Sequence, residues 1–106
     1  MIDDESIQKD IEFFESFSQT RNKIPIESIL HDKVITEIAK KLKMEYEIDQ
    51  LDGIKININD NTWSLIRKSN TEDIIRISTE SNDRELLVNI QKEMTRMVEK
   101  CYEEIK

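Results

Sequence analysis

Residues 62–79 read TWSLIRKSNTEDIIRIST, and their pattern decides the fold. Thr62 to Arg67 and Ile74 to Thr79 each alternate at the period of a half-buried strand. Between them Arg67, Lys68, Ser69, Asn70, Thr71, Glu72 and Asp73 form a polar connection of residues that tolerate a sharp turn. Arg67 offers a planar fork of N–H donors, and Ser69, Asn70 and Thr71 add hydroxyl and amide donors, so an oxyanion with several acceptor atoms satisfies them together. A backbone that turns in this way also lets successive peptide N–H groups converge on an anion. A phosphate monoester is the ligand this composition suits.

Gly53, the one glycine, follows Asp52 and precedes Ile54, Ile56 and Ile58, which alternate with Lys55, Asn57 and Asn59. That pattern predicts a half-buried strand entered by a turn. Asn59, Asp60 and Asn61 supply the next turn, making Thr62 to Arg67 the hairpin partner. Trp63 and Leu65 share one face of that partner, and the bulk of the indole predicts a place in the core. In the following strand Ile75 and Ile77 share one face while Ile74, Arg76 and Ser78 share the other. Arg76 is therefore expected to point outward and make a structural salt bridge rather than touch a bound anion.

Further out, Lys23 to Glu27 alternates around Pro25, which has no N–H for a ladder, and predicts an edge strand. Val34, Ile35, Ile38, Ala39 and Leu42 mark one face of a helix, with Asp32 near its start and Lys40, Lys41 and Lys43 near its end, the order that suits the helix dipole. His31, the only histidine, stands just before this helix and is expected to be a capping or surface residue with no catalytic part. Ser81, Asn82 and Asp83 offer caps to a long last helix. On it Leu86, Leu87, Ile90, Met94, Met97, Val98, Cys101, Tyr102 and Ile105 form an apolar stripe expected to lie on the sheet. Ile7, Ile11 and Phe14 predict a short helix within residues 3–17. The order strand, helix, three antiparallel strands, helix predicts an α+β fold, a two-layer sandwich with helices on one face of a four-stranded antiparallel sheet.

The run Arg67-Lys68-Ser69-Asn70-Thr71-Glu72, followed by Asp73 and Arg76, resembles the phosphate-binding signature of the α-D-phosphohexomutases: the phosphomannomutases, phosphoglucomutases and phosphoglucosamine mutases. In that family the signature runs Arg, any residue, Ser, Gly or Asn, Thr, usually Glu, usually Pro, and a later Arg, in the last of four domains. Asp52-Gly53-Ile54-Lys55-Ile56 resembles the segment that precedes the loop, and residues 24–106 fit as a whole. Lys68 stands where Pro or Ala is frequent and adds a positive charge. Asp73 stands where Pro is common, exchanging a fixed φ for a carboxylate.

The resemblance implies a TATA-binding-protein-like fold. It implies a division into residues 1–22, a linker or short helix from a preceding domain, and residues 23–106, a C-terminal phosphate-binding domain. It further implies that Arg67, Ser69, Asn70 and Thr71 hold the phosphate of a hexose phosphate or hexose bisphosphate, that Glu72 shapes the loop, and that this chain carries neither catalytic nor metal-binding residues. The reaction, an isomerisation that moves phosphate between C1 and C6, then belongs to a longer enzyme whose other domains carry a phosphoserine and Mg²⁺. The chain alone is expected to be inert.

At 106 residues the chain is one domain's worth, able to bury roughly two-thirds of its unfolded surface and far shorter than a four-domain mutase. Its net charge of -7 opposes broad binding to nucleic acid or an anionic membrane, so any anion site must be local. Cys101, the single cysteine, excludes an internal disulfide and a thiolate zinc cluster and fits a reducing cytosol. The acidic start, with Asp3, Asp4 and Glu5, lacks the order of a signal peptide, and no stretch has the apolar length of a membrane span. The expected setting is the cytoplasm, with the other domains of the same enzyme as partners. Two rival readings stand beside this one. A nucleic-acid-binding sheet needs paired exposed aromatics, which this sheet is expected to lack, and a protein-binding module needs Ile90, Met94 and Met97 exposed on the last helix.

Overall fold

The computed structural model describes residues 17–50 and 52–106, so the short helix expected within residues 3–17 lies almost wholly outside the described residues. The described elements are β1 (Ser18–Pro25), a single 3₁₀ turn (Ser28–Leu30), α1 (His31–Leu42), β2 (Glu47–Asp49), β3 (Ile54–Asn59), β4 (Thr62–Lys68), β5 (Ile74–Ser81) and α2 (Arg84–Ile105). The strands form one antiparallel sheet in the order β1-β5-β4-β3-β2. The α+β class and the sandwich are as expected, but the sheet has five strands rather than four. The extra strand is β2, three residues paired only with β3 at the sheet edge. Glu47-Ile48-Asp49 is too short and too charged to announce itself by period. The first strand also begins at Ser18 rather than Lys23, because Gln19, Arg21 and Lys23 alternate with Thr20 and Asn22 as a polar pattern that hydropathy does not register.

Both helices cover one face. Ile24, Ile54, Ile56, Ile66, Ile75 and Ile77 point into that layer and meet Val34, Ile38 and Leu42 of α1 and Ile90, Met94 and Val98 of α2. Asp83 caps α2, its carboxylate accepting from the Leu86 N–H at 3.1 Å. His31 is buried, against expectation: it is the first residue of α1, and its Nε2 lies 2.7 Å from the Ile26 carbonyl oxygen. A carbonyl only accepts, so Nε2 carries the proton and the ring ties the chain after β1 to the start of α1.

Trp63 is corrected as well. Ile66 pairs with Ile77 and Ile54, and this register puts Thr62, Ser64 and Ile66 under the helices. Trp63, Leu65 and Arg67, of opposite parity, lie on the helix-free face, with Trp63 only half-buried. A one-residue slip that buried the indole would bury Arg67 with it. Four of the small polar residues left under the helices satisfy each other in pairs, Thr62 with Ser81 at 2.7 Å and Ser64 with Thr79 at 2.6 Å, while the buried Thr20 Oγ1 on the neighbouring strand has no hydrogen-bond partner. Thr79 in turn donates to Gln91 Oε1 at 2.5 Å, and Gln91 Nε2 donates to Asn22 Oδ1 at 2.7 Å and to the Ile77 carbonyl at 3.2 Å.

Candidate anion-binding site

The hairpin loop sits where two arginines meet. Arg67 at the end of β4 and Arg76 on β5 are directly paired across the ladder, both exposed on the helix-free face. Like charges placed opposite one another oppose pairing, and each guanidinium has one carboxylate to offset this. Arg67 Nη2 is 3.4 Å from Asp52 Oδ2, and Arg76 Nη2 donates to Glu72 Oε1 at 3.2 Å. Both contacts are solvent-exposed and longer than a tight charge-assisted bond, so they leave most of the ten N–H donors of the two guanidinium groups to a ligand. Arg76 does make the expected salt bridge, and it also lines the loop depression, which the sequence reading missed.

Ser69 is wired so that its hydroxyl faces outward as a donor. Its Oγ accepts from the Thr71 N–H at 3.3 Å and the Glu72 N–H at 3.1 Å, while its own N–H donates to the Ile74 carbonyl at 3.1 Å. A serine hydroxyl has two lone pairs and one proton, so the proton is what remains. The N–H groups of Ser69, Thr71 and Glu72 are thereby committed within the loop, and the donors offered are chiefly side-chain ones. Arg67, Lys68, Ser69, Asn70, Thr71 and Arg76 line one shallow depression of about 440 Å³. Lys68 leans toward α1, its Nζ donating to Asp32 Oδ1 at 2.9 Å. That bond and the lysine charge hold the Asp32 carboxyl below its usual range.

Two residues hold this loop in place that sequence reasoning did not assign. Gly53, at φ +83°, lies beside Arg67: a Cβ on it would come 2.5 Å from the Ile66 carbonyl oxygen and 3.0 Å from Arg67 Cγ. The isolated glycine after Asp52 was the signal available, since a lone glycine at a strand entry marks close backbone approach. Asp73 takes over the part of a stiffening proline by hydrogen bonds. Its Oδ1 accepts from Ser28 Oγ at 2.5 Å and from the Ser28 N–H at 3.1 Å, and its carbonyl accepts from the Ile26 N–H at 2.9 Å. The Ser28 hydroxyl and N–H hold the Asp73 carboxyl below its usual range.

Among the described residues, no group of three or more His, Cys, Asp and Glu is placed to hold a metal ion, and no helix is long and apolar enough to cross a membrane. Cys101 is buried in the core, and burial pushes its thiol up. Ile90 and Met94 are buried and Met97 is partly so against the same core, which returns the α2 stripe to packing. The helix-free face carries an aromatic pair after all: Trp63 and Phe17 have ring centroids 6.3 Å apart, and Lys55 Nζ lies 5.6 Å over the indole.

One end of this α+β sandwich thus gathers paired arginines, a donor serine and two further polar side chains, a set of donors whose chemistry suits an oxyanion. The family of the phosphoglucomutase/phosphomannomutase C-terminal domain matches residues 25–97, and the chain belongs to it. A probable phosphoglucosamine mutase of Methanosphaera stadtmanae is 32% identical over 90 residues, covering 81% of this chain and 20% of the relative. One from Pyrococcus horikoshii is 33% identical over 88 residues, covering 80% and 19%. A phosphoglucosamine/phosphogalactosamine mutase of Sulfurisphaera tokodaii is 38% identical over 71 residues, covering 62% and 15%. The chain thus spans about a fifth of the length of the curated relatives it matches. A crystal structure of a phosphoglucomutase/phosphomannomutase family protein from Burkholderia thailandensis shares the fold, with a TM-score of 0.61 over 79% of this chain and 18% of that one at 20% identity.

Proposed function

We propose that residues 23–106 are the substrate-phosphate-anchoring domain of a phosphohexomutase, an isomerase of carbohydrate metabolism that moves phosphate between C1 and C6 of a hexose, and that residues 1–22 lead in from the preceding domain. The observation that carries this reading is the direct cross-strand pairing of Arg67 with Arg76 beside Ser69, Asn70 and Thr71 around one depression. A phosphate there neutralises two like charges that the fold otherwise sets against each other. Arg67 supplies the bidentate contact, Ser69 its remaining hydroxyl proton, and Asn70 and Thr71 further donors.

The role is positioning. The domain holds the phosphate that is not reacting, so that the sugar's other end is presented for in-line transfer, and orientation of this kind accounts for a large part of a phosphoryl-transfer rate. No catalytic nucleophile or base is assigned to the loop in this role, and the chain alone is expected to be inert. Mg²⁺ binds in the rest of the enzyme, where it offsets charge on the transferring group. The setting is the cytoplasm. The names of the relatives make glucosamine phosphate the first substrate to try among hexose phosphates. A nucleic-acid reading is weaker, since the Lys55 ammonium already covers the indole that a base would stack on and the net charge is -7.

Calorimetric titration of the chain with glucosamine 6-phosphate tests the reading. The affinity expected is millimolar, because a lone loop lacks the rest of a closed cleft. Hydrogen bonds to a charged group contribute roughly 1.5–3 kcal/mol each, so Arg67→Ala lowers the affinity about 10- to 100-fold. Equal affinity of the two proteins refutes it.

A further inference from the structure

β1 lies at an edge of the sheet, and among the described residues only β5 pairs with it. The Ile26 N–H donates to the Asp73 carbonyl, and alternate residues of an antiparallel ladder share that orientation. Gln19, Arg21 and Lys23 therefore turn their backbone N–H and C=O groups away from β5. Beside this edge, between β1 and α2, runs a groove of about 460 Å³ whose walls include Thr20, Asn22, Val88, Lys92, Thr95 and Arg96. Val88 is 43% exposed, and the Thr20 Oγ1 is buried with no hydrogen-bond partner. Four exposed cations flank the edge, Arg21 and Lys23 on β1 and Lys92 and Arg96 on α2, and none is in an ion pair among the described residues. Two carboxylates stand among them: Glu80, diagonal to Arg21 across the ladder, and Glu99, three residues beyond Arg96. Four against two leaves this edge positive in a chain of net charge -7.

The opposite charge is concentrated in residues 1–16, where Asp3, Asp4, Glu5, Asp10, Glu12 and Glu15 stand against Lys9 alone, five of the seven net negative charges. The same segment carries Ile7, Ile11, Phe13 and Phe14. It joins β1 through Phe17, whose ring centroid is 6.3 Å from that of Trp63. Ser18 is the ladder partner of Ser81, and α2 begins three residues after Ser81, so the groove opens next to the point where the segment enters the sheet. We propose that residues 1–16 double back over the β1–α2 groove, with carboxylates against Lys92 and Arg96 and apolar side chains over Val88, and so cover the open edge. A tethered occupant needs little affinity. A short tether gives an effective concentration of about millimolar, enough to half-fill a contact whose own Kd is about millimolar. A second copy laid edge to edge is opposed, because it brings the Arg21 and Lys23 of both copies together. Cations on an edge strand also discourage pairing by themselves, but that leaves Lys92 and Arg96, on a helix, without a reason. The segment precedes the residues 25–97 matched by the family, and the inference does not depend on the phosphate loop.

The test places a nitroxide on Ser6→Cys in the 106-residue chain and reads amide broadening; Cys101 is buried, and mass spectrometry of a digest checks that it stays unlabelled. At about 20 mM salt, Thr20, Asn22 and residues 88–99 are expected to lose more than about half their amide intensity. At about 0.5 M salt most of it returns, as the screening length falls from roughly 20 Å to roughly 4 Å. Lys92→Glu combined with Arg96→Glu is expected to restore the intensity at low salt. Lys33→Glu combined with Lys43→Glu, the same change of charge at exposed positions on α1 and just after it, is expected to leave the broadening in place. Each variant's amide spectrum is checked for the native fold, and if the Lys92 and Arg96 variant lacks it, the salt series on the Ser6→Cys chain decides. Broadening that avoids the groove, ignores salt or disappears equally in the α1 control overturns the proposal. So does equal broadening of an isotope-enriched, unlabelled chain mixed with the spin-labelled one, which assigns the groove to the segment of a second copy.

Discussion

Gly53 offers a perturbation whose size is worked from distances alone. At φ +83° an L side chain is strained by roughly 1–2 kcal/mol. A Cβ there also meets the Ile66 carbonyl oxygen at 2.5 Å and Arg67 Cγ at 3.0 Å. The carbonyl belongs to the β3–β4 ladder, where Ile54 pairs with Ile66, so it cannot swing aside as the end of a flexible side chain does. Relieving such an overlap by moving backbone costs a further 1–3 kcal/mol or so. Gly53→Ala is therefore expected to destabilise the domain by about 2–5 kcal/mol, which for a domain near this size lowers Tm by roughly 10–20 °C. Circular dichroism melts of the wild-type chain and the variant measure it. Gly53→Asn separates the two causes, because asparagine tolerates positive φ but keeps the Cβ. Contact with a fixed carbonyl makes Asn nearly as damaging as Ala, whereas a purely dihedral effect would leave Asn close to wild type. Melts of both variants within about 3 °C of wild type refute the reasoning, and with it the idea that close approach at Gly53 seats Arg67.

Three further outcomes are expected. Ser69→Ala removes the acceptor of two exposed loop N–H groups that water then solvates, so melts shift by less than about 0.5 kcal/mol while glucosamine 6-phosphate affinity falls about five- to tenfold in titration. The Asp73 carboxyl has a folded-state pKa below its unfolded one. Its contribution is present above the unfolded pKa of about 4 and is lost as pH falls through the lower folded value, so Tm of the wild type holds from pH 7 to about 5 and drops below about 4, with Asp73→Asn showing a shallower drop. Gln91→Ala removes three hydrogen bonds under α2 and leaves Thr79 and Asn22 to find other partners, a loss of about 1–3 kcal/mol in chemical denaturation.

The architecture was legible wherever hydropathy repeats cleanly. The isoleucines of β3 and β5 and the stripe of α2 placed the sheet and the helix over it, and the turn residues around Asn59 to Asn61 and at Asp83 marked their ends. The loop residues were legible by composition and by resemblance. What escaped was set by pairing between strands. Trp63 pointed the wrong way because residue size was weighed on β4 alone, whereas Ile77 opposite Ile66 fixes the parity of the whole strand. The neighbourhood of Arg67, Arg76 and Lys23 depends on the β1-β5-β4 order, which no single segment reports. β2 and the first half of β1 are polar strands held by the ladder rather than by a buried face. His31 finds Ile26 across a turn, and Asp73 finds Ser28 from 45 residues away, contacts visible only once the chain is folded.

The central claim is that the β4–β5 hairpin of this chain grips a phosphate through Arg67, Arg76 and Ser69. The most direct measurement is a map of backbone amide shifts as inorganic phosphate and then glucosamine 6-phosphate are added, with single-stranded RNA as the competing ligand. The account expects saturable shifts confined to residues 67–71 and Arg76, common to both phosphates and absent from Arg67→Ala. Shifts that avoid this loop, or RNA moving the residues around Trp63 while phosphate moves nothing, would contradict it.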